Sequence, residues 1–199
     1  MTDISDIEPY KDQDVPQVIN RLLQDDEFIK AVGQLKFKAW YSFFSPFLKP
    51  RIRAFLRQQA SQIHSVRDFQ ELVAPQLAKV LSSTTETFTV SGLDQLDPKQ
   101  SYLFLSNHRD IVMDPAFVNW ALYNGGFDTV RIAIGDNLVK KPFVGDLMRI
   151  NKSFIVKRSV SGPREMLQTY SALSAYIRQS IEERHSIWIA HREGRAKDG

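Results

Sequence analysis

The 199-residue chain has no cysteine. That absence excludes disulfides, thiolate metal sites and a cysteine nucleophile, and it is compatible with a reducing compartment. A Gly-x-Ser-x-Gly elbow and a glycine-rich phosphate loop are missing as well, which removes the serine-hydrolase and kinase-like readings. His108-Arg109-Asp110 spells a kinase catalytic tripeptide, but Pro115 stands where that motif requires asparagine. His64, His185 and His191 show no ligand spacing with one another, so no metal site is expected. No apolar run is long enough to cross a bilayer, and the acidic stretch Met1 to Asp14 lacks the apolar core of a signal peptide. The last absence is local. Between Glu27 and Asp68 there is no acidic residue at all.

With 43% hydrophobic residues the chain can bury a core, which fits one domain plus an extension. The net charge of +3 is mild, and its distribution says more than its size. Residues 1–15 read as a loose acidic lead-in. Residues 16–66 read as a helical region, with Val18, Ile19, Leu22, Leu23, Phe28 and Ile29 at helical spacing after Pro16. In the acid-free stretch, Lys30, Lys36, Lys38, Lys49, Arg51, Arg53, Arg57 and Arg67 are interleaved with Phe37, Trp40, Tyr41, Phe43, Phe44, Phe47 and Phe55. Positions 37, 40, 41, 44, 47 and 48 share one helical face, and Pro46 and Pro50 are expected to divide the element into two short helices. Such a helix suits an anionic lipid surface. Packing on the core accounts for the stripe equally well. Nucleic acid is the weaker third reading, because no recognisable binding module surrounds the basic residues.

Residues 67–199 read as an α/β domain, opening with an amphipathic helix to Leu81 that Pro75 interrupts. Strands are expected at 88–90, 102–105, 130–134, 154–156 and 187–190. Helices are expected at 111–123, 136–149 and 163–184, the last starting at Pro163. This alternation implies a mostly parallel sheet flanked by helices, whose strands end at one rim. The residues just past those ends are His108, Asp136, Lys157 with Arg158, and Glu193, Arg195 and Lys197. His108 also has carboxylates close by in sequence at Asp110 and Asp114. A carboxylate that fixes its tautomer makes an imidazole a general base. The plainer reading is a loop histidine followed by helix-capping aspartates.

Four segments, in order, resemble the glycerolipid acyltransferase superfamily, which includes glycerol-3-phosphate and lysophosphatidate acyltransferases. Asn107-His108-Arg109 through Asp114-Pro115 is similar to its first block, a histidine followed downstream by aspartate. Lys141-Pro142-Phe143-Val144-Gly145 resembles the segment before the second block, and Phe154-Ile155-Val156-Lys157-Arg158 the second block itself. Ile187 through Arg195, with Glu193-Gly194, resembles the third. The family places its aspartate five positions after the histidine, where this chain has Met113. A one-residue insertion that keeps the pair makes Asp114 the partner, with Asp110 as the alternative. In the third block Arg192 replaces the usual proline, and the arginine comes one position early. The chain stops soon after, so a C-terminally shortened domain lacking the family's last strand is expected.

The resemblance implies transfer of a fatty acyl group from acyl-CoA or acyl-ACP to a hydroxyl of glycerol 3-phosphate or a lysophospholipid. His108 would be the base, suited to neutral pH by its ordinary pKa of about 6.5, and Asp114 its partner. Arg158 and Arg195 would hold the acceptor's phosphate, with Lys157 and Lys197 as alternates and Glu193 orienting them. Main-chain N–H groups near Gly194 would meet the oxyanion. Direct attack by the alcohol needs no enzyme nucleophile and no cofactor, in keeping with the missing cysteine. The expected place of work is the cytoplasmic face of a membrane, as a peripheral protein on anionic lipid. A noncatalytic lipid-surface module on the same scaffold is the alternative, supported by the shifted aspartate.

Overall fold

The computed structural model describes residues 7–190 apart from 38 and 39, and contains seven α-helices and four β-strands among them. The chain divides into two compact units. A helical unit comprises Tyr10–Ala74 and Val139–Asn151. An α/β unit comprises Pro75–Leu138 and the chain from Lys152, with the residues up to Pro9. The division falls at Pro75, inside helix α4 (Val66–Thr84), which the proline does not break.

In the helical unit, α1 (Val15–Gln24) carries Pro16 in its first turn, where the missing N–H has no intrahelical partner to lose. Asp25 caps α2 (Asp26–Phe37) by accepting the Phe28 N–H at 2.9 Å. Ser65 and Asp68 cap α4 reciprocally: Ser65 Oγ accepts the Asp68 N–H at 3.1 Å, and Asp68 Oδ2 the Ser65 N–H at 2.9 Å. Val15, Val18, Leu22, Ile63, Val66, Phe69 and Ile150 form one core, the last supplied by α6 (Pro142–Ile150). The helix expected over 136–149 therefore starts later, after a single 3-10 turn at Asp136–Leu138.

Residues 40–60 correct a second expectation. They form one helix, α3 (Trp40–Ala60), with Pro46 and Pro50 inside it rather than at a break. A helix-interior proline costs roughly 3 kcal/mol, while each buried large side chain returns about 1.5–3 kcal/mol. Tyr41 and Ile52 are buried against Ile29 of α2, with Leu48 and Leu56 packed around them, and that packing offsets the two prolines. Gly33 makes the approach possible, because a Cβ there would overlap the Tyr41 ring. The aromatic stripe is consequently divided. Tyr41 and Leu48 turn inward, whereas Trp40, Phe43, Phe44 and Phe47 stand 70, 82, 47 and 76% exposed.

The α/β unit holds an all-parallel sheet of β1 (Leu103–Ser106), β2 (Arg131–Gly135), β3 (Ser153–Val156) and β4 (Ile187–Ala190), in the order β1-β4-β2-β3. Residues 88–90, expected as a strand, pair with no neighbour among the described residues; Phe88 stacks instead on Phe117. The register Phe104↔Trp188 and Ile132↔Trp188 sends these three side chains to one face, where Leu122 and Val118 of α5 (Met113–Asn124) cover them. Phe154 and Ile187 point to the other face, under Tyr176, Leu173 and Ile177 of α7 (Pro163–Glu182). Two-residue periodicity thus assigns each strand one face to each helix. All four carboxyl ends lie along one rim.

Candidate active site

His108 leaves the rim two residues past the end of β1. Its Nδ1 lies 3.0 Å from Asp114 Oδ2, and the same oxygen accepts the main-chain N–H of Arg109 at 2.6 Å and of Asp110 at 3.0 Å. Asp114 sits in the first turn of α5, where unpaired N–H groups and the positive end of the helix favour a carboxylate. The β1–α5 connection is therefore wound around one oxygen atom. An oxygen accepting three bonds requires Nδ1 to donate, which leaves the lone pair of Nε2 directed away from the aspartate. Both side chains are largely shielded, at 16 and 21% exposure, so the pair is less screened than a surface one.

Asp110 has other work. Its Oδ1 accepts the N–H groups of Val112 at 2.9 Å and Met113 at 2.8 Å, closing the turn into α5. Of the two carboxylates that the spacing leaves open, Asp114 is the one at the imidazole.

Trp188, inside the Ile187–Arg195 segment, is a neighbour to which no sequence motif gives a role. Its ring meets the His108 imidazole edge-on, with centroids 5.8 Å apart. Its indole N–H donates to Ser106 Oγ at 3.1 Å, which ties β4 to the end of β1. The side chain is buried, so it forms a fixed apolar wall beside the imidazole. Alternation along Ile187-Trp188-Ile189-Ala190 places it on a definite face; which strand lies beside it depends on the sheet order.

At the other end of the rim, Arg158 follows β3 and is exposed. Asp136 follows β2. Burial pushes the Asp136 carboxyl up, but the main-chain N–H groups of Arg158, Ser159 and Asn137, with the Ser159 hydroxyl, bring it below its ordinary value. Its Oδ2 lies 3.4 Å from the Ser159 N–H, and its Oδ1 is shut off from solvent. His108 and Asp114 are thus in contact, and Arg158 shares their rim with β4 and β2 between. Glu193, Gly194 and Arg195 lie outside the described residues, as do His191 and Lys197; β4, which leads to them, ends beside β1. No group of three or more histidine and carboxylate side chains is placed to hold a metal among the described residues.

An imidazole whose Nδ1 is engaged, whose Nε2 bonds to none of the described residues and which has an apolar wall beside it is equipped to remove a proton from a hydroxyl held in front of it. A family model described as "Acyltransferase" matches residues 87–198, more than half of the chain. Glycerol-3-phosphate acyltransferases of Xanthomonas axonopodis pv. citri and Xanthomonas campestris pv. campestris are each 32% identical over 108 residues. That stretch is 54% of this chain but 12% of each relative, so the chain spans a small part of their length.

Proposed function

The chain belongs to the acyltransferase family, and from that membership we propose that it moves a fatty acyl group from acyl-CoA or acyl-ACP to a hydroxyl of glycerol 3-phosphate or a lysophospholipid. The observation that carries the reading is the His108–Asp114 pair, with Nδ1 held at 3.0 Å. In the proposed step Nε2 takes the hydroxyl proton as the oxygen attacks the thioester carbonyl. The tetrahedral intermediate collapses, the C–S bond breaks, and the imidazolium returns the proton to the departing thiolate. Asp114 stabilises the imidazolium while it exists. No covalent enzyme intermediate and no cofactor enter the scheme. Arg158 is assigned to the acceptor's phosphate, with Arg195 beside it and Glu193 and Gly194 as further acceptor contacts by resemblance. Of the two acceptors, glycerol 3-phosphate is the one in the names of the Xanthomonas relatives.

A lipid surface is proposed as the place of work, on the cytoplasmic side, where the leaflet is anionic. What supports this is α3: its four outward rings present roughly 500 Å² of aromatic surface, at the upper end of what a monomer exposes in one patch. Exposed Arg51 and Arg57 lie on the same helix. No described helix is long and apolar enough to cross a membrane, so the reading is of a helix lying in the interface. A noncatalytic lipid-surface module is the rival, and α3 alone suits it equally.

Labelled acyl-CoA or acyl-ACP, offered with glycerol 3-phosphate or lysophosphatidate, separates the two. The expected result is labelled product that His108→Ala reduces by about 10²–10⁴-fold without changing vesicle binding. Equal inertness of wild type and variant across all four combinations would leave the noncatalytic reading.

A further inference from the structure

Gly135 and Asp136, at the end of β2, have no part in the scheme above, yet both are organised around Arg158. A Cβ built on Gly135 would come within 3.0 Å of Arg158 Nε and 3.2 Å of its Cδ, besides meeting the Asn137 side chain. The arginine stem therefore lies back across the end of β2, in the space a side chain would occupy. Asp136 holds the other half of the arrangement. Its carboxylate faces the main-chain N–H groups of Arg158 and Ser159, the segment from which that stem springs.

From this geometry we infer that Gly135 and Asp136 are positioning residues that hold Arg158 in place for the acceptor's phosphate. Gly135 falls in step with Ala133 along β2, on the face that α7 covers, and a larger residue there would push the arginine stem off the end of β2. The inference rests on assigning Arg158 to the acceptor's phosphate.

The test compares Gly135→Ala, Asp136→Ala, Asp136→Asn and Arg158→Ala in the full chain, by titration with glycerol 3-phosphate and by steady-state kinetics. Gly135→Ala and Asp136→Ala should each weaken glycerol 3-phosphate binding, and raise its KM, by about tenfold. The acyl-donor KM should stay as in wild type. Asp136→Asn, which keeps an acceptor oxygen, should recover most of the loss. Either change combined with Arg158→Ala should cost no more than Arg158→Ala alone. If Arg158→Ala weakens binding but the position 135 and 136 variants do not, or if their losses add to it, the positioning role is wrong and the phosphate assignment stands. If Arg158→Ala has no effect, or wild type does not bind the compound, the assignment falls and this inference with it. Should Gly135→Ala fail to fold, the contrast of Asp136→Ala with Asp136→Asn decides alone.

Discussion

Two regions depart from an ordinary protein surface in opposite directions. At the β1–α5 turn the polar groups are nearly all engaged: one carboxylate oxygen holds an imidazole and two main-chain N–H groups, and Asp110 closes the turn. On the outer side of α3 the apolar groups are engaged with very little. Four aromatic rings stand exposed, with Trp40 and Phe44 stacked on each other. A polar network completed inside the protein fixes geometry, and fixed geometry is what catalysis requires. An apolar surface left incomplete gains nothing until something apolar covers it. The first region explains itself within the α/β unit, whereas the second is what the proposed lipid surface would cover.

The widest separation of the two aspartates comes from changing them alike. Asp114→Asn keeps the shape but puts an amide where a carboxylate faced the imidazole and two N–H groups. Acyl transfer should fall by about 10²-fold or more. Asp110→Asn keeps an oxygen able to accept from Val112 and Met113, so activity should stay within a few-fold and stability within about 1 kcal/mol. Turnover numbers and melting curves for the pair check this. Comparable activity losses in both would mean that contact with the imidazole is not what distinguishes them.

The helical hairpin offers the next largest contrast, because one helix supplies both kinds of ring. Tyr41→Ala should destabilise the protein by about 3–5 kcal/mol, since it empties the space between α2 and α3. Changing Trp40, Phe43 and Phe47 together to serine should leave the melting temperature unchanged or slightly higher. It should weaken binding to vesicles rich in anionic lipid by about tenfold or more. Wild-type binding should also weaken with added salt as exposed Arg51 and Arg57 are screened. If the triple variant is destabilised as badly as Tyr41→Ala, the outward rings are part of a packed structure and need no lipid.

Which features the sequence disclosed follows from the range of the forces involved. β4 begins and ends where expected, at Ile187 and Ala190, and α7 starts at Pro163, because short apolar runs and first-turn prolines act locally. The His108–Asp114 contact was legible only as one of two candidates, because the spacing left Asp110 open and the resemblance alone favoured Asp114. Residues 88–90 were misread because alternation supplies the faces of a strand but not a neighbour to pair with. Pro46 and Pro50 were misread because the packing that outweighs them comes from α2, distant in sequence from part of α3. The stripe at 37–48 could be seen, but not which of its rings turn inward; that choice depends on Gly33 accepting Tyr41. Trp188 beside His108 and Arg158 over Gly135 both depend on strand order, which no local pattern encodes.

The smallest expected effect concerns the opposite end of the α/β unit, where no site is proposed. His185 lies between α7 and β4 and donates its main-chain N–H to Ser180 O at 2.8 Å. Burial pushes its imidazole pKa down, and the positive charges of Arg131 and Lys152 push it further than Asp128 and Glu183 can restore. The folded protein therefore resists protonation that the unfolded chain accepts at about 6.5. The sign follows: stability from this group is fully present above that value and is lost as pH falls toward the depressed folded value. The melting temperature should decline gently from pH 7 to pH 5. His185→Gln should flatten that decline while leaving the steeper loss at lower pH, where Asp68 and Asp136, both held below the ordinary carboxylate range, take up protons. An unchanged slope in His185→Gln would place the titrating group elsewhere.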